Sequence, residues 1–166
     1  MARGLGADVP FFLDPRPAIG RGIGDLLEPL LLPELPLVLV FTDQPLSTAH
    51  VYREFDARYP VEDPEAFARR AALEEEKWRR VTTVKDVAAL LRNDLEETSC
   101  SLLPGVCEGK EVILQEGALG ALMSGSGPTI YGVCGSQEEA EALCGKVLAD
   151  GVNCRAARTT GGPQAV

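Results

Sequence analysis

The chain has 166 residues, of which 45% are apolar and 25% charged, the composition of an ordinary soluble domain with a proper core. Its formal net charge of −9 argues against nucleic acid or an anionic membrane as the main partner, because both attract a cationic face. The apolar stretch 26–40 is interrupted by glutamates and prolines, so it is not expected to span a membrane.

The cysteines and the N-terminus predict a reducing compartment. The five cysteines are odd in number and form no CxxC pair, which predicts neither a disulfide framework nor a zinc site. The first residues include Arg3 but no apolar segment typical of a signal peptide. We therefore expect a cytoplasmic protein with buried thiols.

The first 32 residues resemble the end of a larger unit. Val9–Leu13 is predicted as a strand, and the stretches 18–24 and 26–32 as an apolar hairpin. Such a hairpin is marginal alone and needs a sheet to pack on, which is expected to precede Met1. The apolar surface of 9–13 and 26–32 predicts aggregation or dimerisation.

After a linker marked by Pro33 and Pro36, Leu37–Phe41 has the short, continuous apolar pattern of a buried strand. Helix starts are predicted at Ser47 or Thr48, at Asp63 and at Thr83. Asn93 with Glu96 is predicted as an N-cap/N3 pair for a further turn or helix. Most of the helix after Asp63 is rich in Glu and Arg and is expected to be solvated. A further helix is predicted for 104–116, before Gly117.

Two strands, 118–123 and 129–134, are predicted next, followed by a helix that begins at Ser136 and ends at Gly151. A last strand is predicted for 152–158. From Pro36 onward this is the strand order of a ferredoxin-like split βαβ fold, with an enlarged first helical connection. The predicted fold class is therefore α+β.

The stretch Met123–Thr129 joins the two middle strands and contains Ser124, Gly125, Ser126 and Gly127. Glycines permit positive φ and a close approach of another molecule, and free N–H groups in such a turn can hold an anion such as phosphate. A plain tight turn is the alternative, since glycine-rich turns are common.

Other catalytic motifs are poorly matched. Neither lysine that follows a glycine is followed by Ser or Thr, so no Walker A loop is present. Ser126 lacks the spacing of a nucleophile elbow, and with His50 as the only histidine a hydrolase using Ser124 or Ser126 has no evident base. Asp8, before the apolar residues 9–13, has the pattern of a turn cap or of a general base beside an apolar wall.

Three groups of residues together resemble a known family. They are Leu5–Leu13 with Gly20–Asp25; Ser47, Thr48 and Ala49 with Val51 and Tyr52; and Asn93–Glu96 with 117–119 and Met123–Thr129. In this order they resemble the 4-diphosphocytidyl-2-C-methyl-D-erythritol kinases of the GHMP superfamily, which act in non-mevalonate isoprenoid biosynthesis.

The resemblance implies ATP-dependent phosphorylation of the cytidine-diphosphate-linked methylerythritol, with Mg²⁺. It implies that Asp8 accepts the proton of the attacking hydroxyl and that Ser124, Gly125, Ser126 and Gly127 lie beside the nucleotide phosphates. Thr48 and Tyr52 match positions on the substrate side.

The first half of the family's pattern, with its catalytic lysine and main ATP loop, has no counterpart here. We therefore expect residues 1–32 to be a remnant of the family's N-terminal domain, 33–166 to be its C-terminal domain, and the chain alone to be inactive. The alternative is a stand-alone, non-catalytic ferredoxin-like module that binds a small anion or a protein.

Overall fold

The central element is a four-stranded antiparallel sheet in the order β4-β5-β3-β6. The computed structural model describes residues 9–13 and 15–160. In chain order the elements are α1 (Val9–Leu13), β1 (Ala18–Arg21), β2 (Leu26–Pro29), β3 (Pro36–Val40), α2 (Thr48–Arg58), α3 (Pro64–Arg79), α4 (Val84–Leu90), α5 (Glu96–Leu102), α6 (Gly105–Gln115), β4 (Gly120–Met123), β5 (Ile130–Val133), α7 (Gln137–Ala149) and β6 (Cys154–Arg158).

This strand order confirms the predicted ferredoxin-like arrangement within an α+β fold. β3 pairs with β5 on one side and with β6 on the other, and Val40 lies opposite both Ile130 and Cys154. The core forms where α6 and α7 pack on this sheet, and Val38, Ile113 and Val147 are fully buried there. The loop between β4 and β5 therefore lies at one end of this sheet, where the two paired strands fix both of its ends.

The hairpin near the N-terminus is confirmed, since β1 and β2 pair in an antiparallel ladder from Ala18 opposite Pro29 to Arg21 opposite Leu26. The strand predicted for Val9–Leu13 is wrong, because these residues form α1. A strand needs a hydrogen-bonded neighbour, and none of the strands in the described ranges pairs with 9–13. A short helix satisfies its backbone groups locally instead.

The hairpin lies against α3 through exposed ion pairs. Arg21 Nη2 lies 2.7 Å from Glu75 Oε1, and Arg79 Nη2 lies 2.8 Å from the same oxygen. Both arginines also pair with Glu28 of β2. Exposed pairs of this kind contribute little individually, but here they join into one network between two elements. The side chains of α3 are otherwise largely solvated, as its composition predicted.

Several apolar side chains of the N-terminal segment stay exposed, including Phe12 (73%), Ile23 (79%) and Leu31 (97%). Apolar surface of this size fits the sequence-based prediction of self-association, which stays a prediction. Within residues 9–13 and 15–160, no helix is both long and apolar enough to cross a membrane.

The predicted helix caps are confirmed in three places. Asp63 accepts a hydrogen bond from the Ala66 N–H, Thr83 forms a reciprocal capping box with Asp86, and Ser136 accepts from the Glu139 N–H. Each cap satisfies backbone donors that the first helical turn leaves free. These starts depend on local contacts only, which explains why the sequence predicts them.

The expectation of thiols alone is wrong, because Cys100 and Cys107 form a disulfide with their Cα atoms 5.4 Å apart. Cys100 lies on α5 and Cys107 on α6, and the turn at Leu103 and Pro104 brings the two helices together. Spacing rules based on CxxC miss a pair that depends on this turn. Cys134, Cys144 and Cys154 remain free and buried.

Reduction of the Cys100–Cys107 disulfide is expected to lower the free energy of unfolding by about 2 to 3 kcal/mol, because it releases a constraint on the unfolded chain. Urea unfolding of the oxidised and reduced protein measures the difference. The double variant Cys100→Ser/Cys107→Ser is the control, since a reductant should not change its midpoint. Identical midpoints for the oxidised and reduced wild type would contradict the prediction.

The Thr98 hydroxyl on α5 is fully buried and has no hydrogen-bond partner within the described part of the chain. A buried hydroxyl without a partner costs roughly 1 to 3 kcal/mol. Thr98→Val keeps the branched shape and removes the hydroxyl, so its thermal midpoint should equal or exceed that of the wild type. Thr98→Ala leaves a cavity and should lower it. A clear loss of stability in Thr98→Val would show that the hydroxyl has a partner.

Candidate functional site

The glycine loop, defined here as residues 124–127, closes the hairpin between β4 and β5. The Ser124 N–H donates to the Thr129 carbonyl (2.8 Å), and the Gly127 N–H donates to the Ser124 carbonyl (2.9 Å). Gly125 has φ +59° and Gly127 has φ +87°, conformations that favour glycine. The sequence therefore places its two glycines where the turn requires them.

Two N–H groups of this loop are available to a ligand. Within residues 9–13 and 15–160, neither the Gly125 nor the Ser126 N–H donates to a protein acceptor. A Cβ atom built on Gly125 would meet nothing within 4 Å, so the space over this residue is open. Adjacent N–H groups at an open turn form the kind of concave site that binds phosphate.

The opposite side of the loop is packed. A Cβ atom on Gly127 would lie 2.7 Å from the Sδ of Met123, whose side chain is buried. The Gly127–Pro128 peptide bond is cis. The two glycines therefore have different roles, because Gly125 faces open space while Gly127 fits against the core.

The start of α2 contacts this loop. The hydroxyls of Thr48 and Ser126 lie 2.8 Å apart, although 78 residues separate them in the chain. Tyr52 follows Thr48 by one helical turn and is 51% exposed, so both side chains lie on the same exposed face of α2. The structure thus brings Thr48 and the predicted loop residues together.

Asn93, between α4 and α5, forms hydrogen bonds with the glycine loop and with the end of β4. The Asn93 carboxamide donates to the Met123 carbonyl (2.9 Å) and to the Gly125 carbonyl (2.7 Å), and its oxygen accepts from the Leu95 N–H. Asn93 opens a turn just before α5, as predicted, because the Glu96 N–H donates to its carbonyl (3.1 Å), whereas the N-cap residue of α5 itself is Leu95. The Asn93 side chain bonds the neighbouring hairpin as well as its own turn, and only the tertiary structure supplies that partner.

Glu96 is likewise drawn to the hairpin and does not complete a capping box. Its carboxylate accepts from the Met123 N–H (2.8 Å) and pairs with Lys110 of α6, while only 15% of its side chain is exposed. Tyr131 lies in the same region. Its pKa is raised mainly by burial and, to a smaller extent, by the negative charge of Glu96. These roles of Asn93 and Glu96 are not evident from residue patterns, although the Asn93–Glu96 motif marks the segment.

A cavity of about 560 Å³ opens beside the loop. Its lining includes Ser124 and Gly125 of the loop, Asn93, and the side chains of Trp78, Arg92 and Tyr131. Arg92 pairs with Asp94, so its charge is partly neutralised. The open face of the glycine loop therefore borders a space large enough for part of a ligand.

Asp8 and His50 were the other two candidate residues in the sequence. Asp8 lies outside the described residues, so its predicted role as a base remains a prediction. His50 is half-buried on α2 and lies 3.3 Å from an Arg53 nitrogen. Across the described ranges, no group of three or more His, Cys, Asp or Glu side chains could hold a metal ion.

Residues 70–153 match the family model described as GHMP kinases C terminal. This match covers half of the chain and includes the glycine loop, Asn93 and Glu96. The chain belongs to the GHMP kinase family, whose C-terminal domain it contains.

Curated relatives specify the class further. The 4-diphosphocytidyl-2-C-methyl-D-erythritol kinase of Citrifermentans bemidjiense is 42% identical over 137 residues, which cover 82% of this chain and 45% of the relative. The kinase of the same name from Pelotomaculum thermopropionicum is 39% identical over 147 residues, covering 88% and 49%. The chain thus spans about half the length of the curated relatives it matches.

Solved structures agree with this assignment. A crystal structure of 4-(cytidine 5'-diphospho)-2C-methyl-D-erythritol kinase superposes with a TM-score of 0.69 and 31% identity, covering 96% of this chain and 56% of that one. Homoserine kinase from Cytophaga hutchinsonii gives a TM-score of 0.58 at 20% identity, covering 83% and 45%. The second likeness shows the shared fold alone.

Proposed function

We propose that this chain provides the C-terminal part of a cytoplasmic kinase that transfers phosphate from ATP to a hydroxyl of 4-diphosphocytidyl-2-C-methyl-D-erythritol. The observation that carries the proposal is the 2.8 Å contact between the Thr48 and Ser126 hydroxyls. It joins the expected substrate side to the expected phosphate loop. The names of the relatives, at about 40% identity, support the choice of substrate.

The residues present fit an ATP phosphate group. The Gly125 and Ser126 N–H groups are free of protein acceptors in the described structure, and the space over Gly125 is open. The Ser124 side chain is exposed at the same turn. ATP supplies the phosphoryl group, and Mg²⁺ is expected to arrive bound to its phosphates. The loop would hold this negative charge through backbone N–H donors in a turn that its own hydrogen bonds fix.

The roles of Thr48 and Tyr52 follow from the same geometry, whereas that of Asp8 rests on the family resemblance of residues 5–13. Thr48 orients the Ser126 hydroxyl, and Tyr52 offers an exposed aromatic face one turn away for the substrate. Asp8 accepts the proton of the attacking hydroxyl. Phosphoryl transfer depends mainly on positioning and charge stabilisation, so groups that hold both substrates in place carry much of the catalysis.

The domain assignment belongs to the same proposal. Residues 1–32, with the β1–β2 hairpin, are assigned to the edge of the family's N-terminal domain, and 33–166 to its C-terminal domain. The exposed side chains of Phe12 and Ile23 would then pack against the N-terminal domain. Without that domain the same surface is expected to cause self-association, which size-exclusion chromatography at several concentrations would detect.

The test joins this chain to the N-terminal half of the Citrifermentans bemidjiense relative. The joined protein is called the reconstituted kinase below. We expect it to release ADP with ATP, Mg²⁺ and 4-diphosphocytidyl-2-C-methyl-D-erythritol, and the 166-residue chain alone to show little activity. A matched variant carrying Gly125→Ala in the reconstituted kinase should have lower activity, because the added methyl group enters the open space over the loop.

Substrate controls separate this kinase from others that share the loop. Homoserine and mevalonate should give no ADP release above background. Activity with either of them, and none with the cytidylyl compound, would overturn the substrate assignment. A chain that melts cooperatively but binds neither ATP nor the cytidylyl compound, together with an inactive reconstituted kinase, would favour the non-catalytic module.

A further inference from the structure

The Asn93 side chain is placed to control how the glycine loop presents its N–H groups. Its single carboxamide nitrogen donates to two carbonyls, that of Met123 at the end of β4 (2.9 Å) and that of Gly125 in the loop (2.7 Å). Its oxygen is held in turn by the Leu95 N–H (3.0 Å). Both ends of the carboxamide are therefore bonded, which fixes its orientation.

The hydrogen bond from Asn93 to the Gly125 carbonyl fixes the orientation of the Gly125–Ser126 peptide unit. In a trans peptide unit the carbonyl and the following N–H point in opposite directions. Asn93 bonds the Gly125 carbonyl, so the Ser126 N–H of that same unit points away from Asn93. That N–H has no protein acceptor in the described structure.

The next peptide plane is held in the same manner. The Ser99 hydroxyl, buried on α5, donates to the Ser126 carbonyl (3.2 Å). The N–H of that unit belongs to Gly127 and closes the turn onto the Ser124 carbonyl. Glu96 anchors the other end of the loop through the Met123 N–H. One short segment, 93–99, therefore bonds two backbone groups of the loop and two of Met123, the residue before it.

We propose that Asn93 is a positioning residue that aims the Ser126 N–H at a polyphosphate anion. The inference rests on the proposed function only for the identity of that anion as a nucleotide. Rotation of the Gly125–Ser126 unit would turn the N–H away from the open face and present a carbonyl, which repels phosphate.

The test uses Asn93→Ser and Asn93→Asp in the 166-residue chain. Serine still accepts from the Leu95 N–H but donates to neither loop carbonyl in the same geometry, and it adds no charge. Aspartate keeps the shape and removes both donors. Gln115→Glu is the matched control for charge, because Gln115 is exposed at the end of α6, which leads into the start of β4 and away from the loop.

Two measurements on the isolated chain decide the proposal. Amide exchange at Ser124 and Gly127, whose N–H groups close the loop, should be about tenfold faster in Asn93→Ser than in wild type and Gln115→Glu. Titration with inorganic tripolyphosphate should shift the Gly125 and Ser126 amide resonances, with an affinity about tenfold weaker in both Asn93 variants. Unchanged exchange and affinity in Asn93→Ser would overturn the proposal.

A kinetic readout in the reconstituted kinase separates positioning from general damage. Asn93→Ser should lower kcat/KM for ATP about tenfold, leave KM for the cytidylyl substrate unchanged and still melt cooperatively. A wild-type chain that does not bind tripolyphosphate at these amides would overturn the anion role. A reconstituted kinase inactive on every substrate would instead overturn the proposed function, so the two failures are distinguishable.

Discussion

Asp8→Asn is expected to lower kcat of the reconstituted kinase by about 10² to 10⁴, the usual contribution of a general base. Asparagine has nearly the same shape but cannot take the proton of the attacking hydroxyl. KM for both substrates should change little, because the base acts mainly in the transition state. The measurement is steady-state ADP release with each substrate varied in turn.

The matched control for Asp8→Asn is Asp150→Asn, which makes the same change at the exposed end of α7. Its kcat should equal that of the wild type. The acidic limb of the kcat profile against pH should also disappear in Asp8→Asn, because that limb reports the protonation of the base. An Asp8→Asn enzyme with wild-type kcat would remove Asp8 from the mechanism.

Gly127→Ala is expected to lower the free energy of unfolding by roughly 2 to 4 kcal/mol, the largest effect predicted for a single methyl group in this loop. Positive φ (+87°) disfavours alanine, and its Cβ atom would lie 2.7 Å from Met123 Sδ. Met123 is only 1% exposed, so its sulfur cannot move into solvent to relieve the contact. Urea unfolding of the 166-residue chain measures the loss.

Gly125→Ala separates the cost of backbone strain from the cost of the contact with Met123. It also has positive φ (+59°), but a Cβ atom there meets nothing within 4 Å. Its expected cost is about 1 to 2 kcal/mol, from backbone strain alone. Equal losses in the two variants would show that Met123 yields to the added methyl group. In the reconstituted kinase, Gly125→Ala should still reduce ATP binding, because it places a methyl group in the space proposed for phosphate.

The local part of the fold could be predicted from residue patterns. Asp63, Thr83 and Ser136 begin helices because each side chain caps N–H groups only three residues away. Leu37–Phe41 pointed to a buried strand, and β3 lies at the centre of the sheet. The strand predicted at 9–13 failed because its existence depends on a neighbouring chain, which a local pattern cannot supply.

The candidate site also has one part that could be predicted from the sequence and one part that could not. The glycine loop was visible in the sequence, because positive φ and open turns leave a compositional signature of Gly and Ser. The roles of Asn93 and Glu96 were not visible in the sequence, because their partners are backbone groups about 30 residues away on β4 and in the loop. The Cys100–Cys107 disulfide was missed for a similar reason, since its two helices meet only through the turn between them.

From β1 onward the sequence by itself determined the order of strands and helices, most helix starts and the loop that carries the candidate phosphate site, because these depend on contacts between near neighbours. Only the tertiary structure decided that Thr48 touches Ser126 and that Asn93 holds the Gly125 carbonyl. Hydrogen bonds between distant segments depend on how the sheet and helices pack, and no short residue pattern encodes that packing.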